Sequence, residues 1–269
     1  MSAVRFFDGI DWSCAWFSTV RPVATELLAA ADWRSWLNHQ AQQLALRNHR
    51  GLPLQFIPQE DLPEGVAYEA HISASGCVPT RENLHDFFNA LVWLRFPLIK
   101  RQLNALQAAQ IAQLGIGKSR GPARDAATIF DENAALLVVA DDVRGDSLTE
   151  ALRQHDWQQA FITQREAFGQ CAEVWSFGHA LMEKLVAPYK AITAHSWVVR
   201  VSPEFFTADA DEKCRWLDSQ VAAQLEQHSL TTADYTPLPV LGIPGWWPEQ
   251  DLAFYQDTQV FRPARQARR

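Results

Sequence analysis

An imidazole, a carboxylate and a carboxamide fall together in the stretch TRENLHDFFNALVWLRFPLIKRQLNALQ, residues 80–107, as His85, Asp86 and Asn89. At about 100 degrees per residue, a helix here stacks His85, Asn89 and Trp93 at i, i+4 intervals with Asp86 beside them. Leu84, Phe87, Phe88 and Leu91 turn to the opposite side. Short polar groups lose little entropy on ordering and form geometrically defined hydrogen bonds, which suits a ligand pocket. The same residues could equally form a polar network that locks the helix to its neighbours.

A second group lies in FGHALMEKLVAP. His179 and Glu183 are spaced i, i+4 at the start of a helix, where two side chains can reach one ion, and Lys184 follows. The junction of strand and helix before His179 is a place where ligand sites collect in αβ structures. A third group, Arg120, Arg124, Asp125, Asp131 and Glu132, mixes cations with carboxylates, and His195 adds another imidazole. Salt bridges between these arginines and carboxylates would account for the third group without any function.

Together these residues hold the ingredients of hydrolysis. His85, Asp86 and His179 are the candidate catalytic residues, with His85 or His179 as general base. Asn89, Arg120, Arg124 and Lys184 are candidates for binding a small anionic or phosphate-bearing substrate, the cations offsetting developing charge. Asp125, Asp131, Glu132, His179 and Glu183 could hold a divalent metal that activates water. The expected protein is a hydrolase with or without that metal, and the alternative is a noncatalytic binding or scaffolding protein. The loop GIGKSRGP, residues 115–122, lacks the spacing of a P-loop, but Lys118, Arg120 and Arg124 give it charge for an anion.

The elements that must position these groups follow from hydrophobic period. Residues 10–46 read as helices, with a boundary at Pro22 and a cap at Asp32. Alternation predicts strands near 53–58 and 67–73, the second placing Tyr68, Ala70 and Ile72 on one side and Glu69 and His71 on the other. Thr80 and Asn83 make a weak capping box for the helix of residues 80–107, which Pro97 kinks or breaks. Beyond Pro97, Ile99, Leu103, Leu106 and Ile111 form the buried stripe, leaving Lys100, Asn104 and Gln107 on another face.

Further strands are expected at 134–140, 172–177 and 195–201. Ser147 and Glu150 have capping-box spacing for one or two helices, and Asp209 opens a last long helix with Cys214, Leu217, Val221 and Leu225 inward. The stretch 236–263, rich in Pro and aromatics, should wrap the body irregularly and carry Trp246 and Trp247, a contact surface in the scaffolding alternative. The expected fold is α+β and predominantly helical, with a small sheet. It forms one domain over 1–269, comprising a helical part (10–47), an α+β body (53–228) and the C-terminal wrap.

The chain has 269 residues, 48% of them hydrophobic, with 11 Trp and 15 Phe against 2 Met, enough for a large core of rigid rings. Its net charge of -7 argues against coating nucleic acid or an anionic membrane, and the basic end, RPARQARR, reads as a solvated tail. Cys14, Cys77, Cys171 and Cys214 show neither zinc-ligand spacing nor a disulfide framework and read as reduced thiols. No stretch approaches the roughly 20 apolar residues of a membrane span and no leader pattern opens the chain. A soluble cytoplasmic protein is expected.

Four runs carry a family likeness: VPTRENLHDFFNALVWLRFPLIK, RGPARDAATIFDENAAL, FGHALMEKLVAPYKAITAH and PLPVLGIPGWWPE. They resemble the bacterial family described as domain of unknown function 3025, from about Pro53 onward. The resemblance implies a single domain of nearly full length and brings no reaction with it.

Overall fold

The run Ala134–Ala140 contains no polar side chain, and all seven residues are buried, so this strand (β3) must be covered on both faces. The computed structural model of the chain describes residues 5–114 and 121–264 and places β3 inside a four-stranded mixed sheet. Ala172–Ser176 (β4) runs antiparallel on one side, Thr193–Val201 (β5) parallel on the other, and Thr236–Pro239 (β6) closes the edge antiparallel to β5. Gln55–Pro58 (β1) and Cys77–Thr80 (β2) form a separate parallel pair. The fold is α+β and mostly helical, as expected.

Arg21–Leu28 (α1) and Trp33–Gln43 (α2) form the N-terminal helices. Asp32 caps α2, accepting from the amides of Arg34 and Ser35. Pro22 lies within the first turn of α1, where a missing amide proton costs nothing, and so opens a helix instead of dividing two. Upstream of it, residues 15–17 make only a single 3-10 turn.

The helix of residues 80–107 is two helices, Leu84–Arg95 (α4) and Pro97–Leu114 (α5). Thr80 belongs to β2, and the cap is Asn83, whose side chain accepts from the amide of Asp86 at 2.8 Å. Phe96, at φ -129° and ψ 60° and so outside the helical region ahead of Pro97, makes the break. From Asp86 to Leu94 every residue of α4 is buried. Phe7 stacks on Phe87 and Phe17 on Phe88, with ring centroids 4.8 and 5.5 Å apart, so the N-terminal segment covers the aromatic face.

Three further expectations are corrected. Residues 67–73 form no strand, because Tyr68–Ser75 is a helix (α3) ended by Gly76 in the left-handed region at φ 78°. Tyr68 and Ile72 are i, i+4, a spacing that puts two residues on one face in either period, so alternation alone could not separate the two. Pro122–Asn133 is a helix (α6) where the sequence assigns no element, although Pro122 stands at its first position. Asp142, not Ser147, caps Val143–Arg153 (α7).

The remaining helices are His179–Lys184 (α8), Ala210–Gln227 (α9), capped by Asp209, and Leu252–Tyr255 (α10). Cys214, Leu217, Val221 and Leu225 of α9 are buried as expected. The aromatic C-terminal stretch contributes β6, and Trp246 and Trp247 pack half-buried against the core.

Candidate active site

A cleft of about 470 Å³ opens where α3, α4, α6 and the first turn of α8 meet. Its construction depends on Gly178. The Gly178 amide donates to the Ala134 carbonyl at 2.7 Å, and a Cβ there would lie 2.5 Å from Glu132 O and from Asn133 N. Glycine therefore allows the start of α8 to press against the junction of α6 and β3, which sets His179 beside Asp131.

His179 is buried, and its Nε2 lies 3.0 Å from Nε2 of His85 on α4, the two rings meeting edge to face. The other nitrogen of His85, Nδ1, is 2.9 Å from Glu183 Oε2. His179 and Glu183 thus bracket one imidazole from two sides instead of reaching for a shared ion. Glu183 accepts the hydrogen on His85 Nδ1, so in a neutral His85 the Nε2 accepts from His179 Nε2–H. That arrangement leaves His179 Nδ1 as a bare lone pair, and Nδ1 has no hydrogen-bond partner among the described residues. Burial pushes the His179 pKa down to about 3 against the pull of Asp131, whose Oδ2 lies 3.9 Å from Nδ1. His179 is neutral at physiological pH.

Behind the histidines lies a buried ionic pair. Lys100 Nζ from α5 donates to Asp131 Oδ1 at 2.5 Å and to Asn89 Oδ1 at 2.8 Å, and Asn89 Nδ2 donates to the Tyr68 hydroxyl at 2.9 Å. Burial alone would raise the Asp131 pKa, but the charge and hydrogen bond of Lys100 together with the two facing imidazoles outweigh it and hold the carboxyl below the usual range. Nearby, Glu69 accepts from Asn104 Nδ2 at 2.6 Å, and burial followed by the charge of Asp131 pushes its pKa up. Asp86 is fully engaged by Arg81, accepting from its amide at 2.7 Å and from Nε and Nη2 of its guanidinium. Arg124 lines the cleft with a buried Nε that has no hydrogen-bond partner among the described residues.

Of the residues singled out in the sequence, His85, Asp86, Asn89, Arg124, Asp131, Glu132 and His179 line this cleft, and Glu183 joins it through His85. Asp125 and Lys184 are exposed and do not line it. His195, exposed on β5, contacts Asn133 Nδ2 at 3.0 Å and lies outside the cleft lining. Arg120 and Lys118 fall outside the described residues. The carboxylates considered for a metal do not pool: Asp131 is held by Lys100 and Glu183 by His85. Among the described residues no group of three or more His, Cys, Asp or Glu is placed to hold a metal ion.

Sequence reasoning missed the site roles of Tyr68, Glu69, Arg81 and Lys100. For Lys100 a signal existed. Lys100, Asn104 and Gln107 share a face of α5, and all three are buried, so that face is a wall and not a wet surface.

Fold and site together define an α+β domain with a polar, histidine-bearing cleft between its helices. The chain belongs to the family described as "Protein of unknown function (DUF3025)", whose model matches residues 54–265 and so spans every cleft residue named above. Comparisons with curated proteins and with solved structures give no significant match.

Proposed function

We propose that this cleft is the active site of a hydrolase acting on a small anionic substrate, such as a phosphate or carboxylate ester. The observation that carries this reading is the Glu183, His85, His179 series: an imidazole held by a carboxylate on one nitrogen and facing a neutral imidazole on the other, at the wall of a cleft. His85 takes up the proton of an attacking water at Nε2, where the contact with His179 gives way to water; Glu183 stabilises the resulting imidazolium, which returns the proton to the alcohol that leaves as the ester bond breaks. Arg124 is the cation for the substrate's charge. The Asp86 and Asp131 carboxylates are already matched by Arg81 and Lys100, so neither cancels it.

A noncatalytic reading has its own support. The chain from Lys100 through Asn89 to Tyr68, and the Arg81 clasp on Asp86, are the kind of satisfied buried network that holds helices in register. The two readings separate on His85. Wild type and His85→Gln would be assayed on a panel of phosphate monoesters, phosphate diesters and carboxylate esters, with melting temperatures measured in parallel. Loss of a general base lowers kcat by roughly 10²–10⁴-fold with little change in melting temperature. Equal turnover in both proteins, or no turnover of any ester by wild type, would count against the hydrolase.

A further inference from the structure

The hydrogen bonds around Asn89 have only one possible direction. Lys100 Nζ carries donors and no lone pair, so the Asn89 atom facing it at 2.8 Å must be the carbonyl oxygen. The amide nitrogen is then the atom 2.9 Å from the Tyr68 hydroxyl, and the hydroxyl accepts. A phenol that accepts still has its own hydrogen to give. Among the described residues Tyr68 Oη has Asn89 as its one hydrogen-bond partner, so none of them accepts that hydrogen. Tyr68 also lines the cleft that holds Arg124, whose buried Nε is a second donor without an acceptor.

Two unspent donors on one small cleft call for an acceptor from outside. We infer that the Tyr68 hydroxyl donates its hydrogen bond to an anionic oxygen of the bound substrate, a phosphate or carboxylate oxygen, and forms the neutral half of an anion site whose charged half is Arg124. This rests on the anionic-substrate reading and adds the group that meets the substrate oxygen.

The chain behind the hydroxyl strengthens it. A buried ammonium polarises the Asn89 amide, and the amide in turn withdraws charge from the phenol oxygen, which makes its O–H a better donor. Burial, followed by the charges of Glu69, Asp86 and Asp131, pushes the Tyr68 pKa well above the ordinary phenol value, so the hydrogen stays in place across the physiological range. A neutral donor suits this site, because it binds an oxyanion without forming an ion pair with the carboxylates around it.

Binding of inorganic phosphate, with acetate as the probe for a carboxylate, would be measured by titration calorimetry on wild type, Tyr68→Phe and Arg124→Gln. All 4 tyrosines would also carry 3-fluorotyrosine for fluorine NMR, with the Tyr68 signal assigned by its loss in Tyr68→Phe. The expected result is binding to wild type, weakening of about tenfold or more in Tyr68→Phe, as for a lost hydrogen bond to a charged group, and displacement of the Tyr68 fluorine signal on titration. Equal binding by wild type and Tyr68→Phe with an unmoved signal would overturn the role of Tyr68 and leave the anionic reading standing. No binding of either anion by wild type at millimolar concentration would overturn both. The fluorine readout guards against a Tyr68→Phe effect that comes only from depriving Asn89 of its acceptor.

Discussion

Lys100 and Asp131 meet with side chains 4% and 9% exposed, so removing either alone strands the other charge out of water. Lys100→Met should cost about 3–5 kcal/mol in denaturant unfolding, and pairing it with Asp131→Leu should recover a large part of that loss. His179 gives a pH signature. Its folded pKa, about 3, lies below its unfolded value near 6.5, so the unfolded chain binds the extra proton between them. Its contribution is complete above about pH 6.5 and is lost as pH falls toward 3, with a slope of at most about 1.4 kcal/mol per pH unit. His179→Gln should flatten that acid limb, as read by thermal melts over the range. At this scale the sequence showed His85 and Asn89 plainly, because i, i+4 spacing fixes a shared helix face. Tyr68 and Glu69 stayed hidden. A strand would send those two to opposite faces, whereas a helix lets both reach one cleft.

Helix ends decide how the walls meet. Gly178 is a contact glycine, with φ -58° and no room for a methyl group, so Gly178→Ala must push α8 away from α6. Overpacking of this kind costs about 1–3 kcal/mol, and the separation of His85 from His179 in a variant structure should widen with it. Asp218 on α9 caps α5 across the helix pair, accepting from the amides of Leu98 and Ile99 at 3.0 and 2.9 Å. Burial raises its pKa to about 6, so its protonated form favours the fold below about pH 4 and that contribution is lost as pH rises through 6. Over that window its contribution runs opposite in sign to that of His179, so in Asp218→Asn the rise of stability with pH between about 4 and 6 should steepen, as read by thermal melts. Caps within a single segment, Asp32 and Asp209, were legible in the sequence. Asp218 was not, since it caps a helix about 120 residues earlier in the chain.

Across the whole molecule, β1 could be read from alternation, β3, β4 and β5 from their apolar content, and the helical majority from period, because each signal is local. The placing of β3 between β4 and β5, and the meeting of α4 with α8, are not local and leave no mark on any one window. The N-terminal segment lies outside the family match, yet its Phe7 and Phe17 cover α4 from behind. An anion bound at a hundred times its Kd should raise the unfolding free energy by about 2.7 kcal/mol, seen as a higher melting temperature that Arg124→Gln abolishes. His85 and His179 are 94 residues apart in the chain, and closing so long a loop is entropically unfavourable until β3 and β4 are in place. The cleft is therefore expected to form late in folding, so that anion binding during refolding should appear in step with the slowest native signal, reporting completed protein and nothing before it.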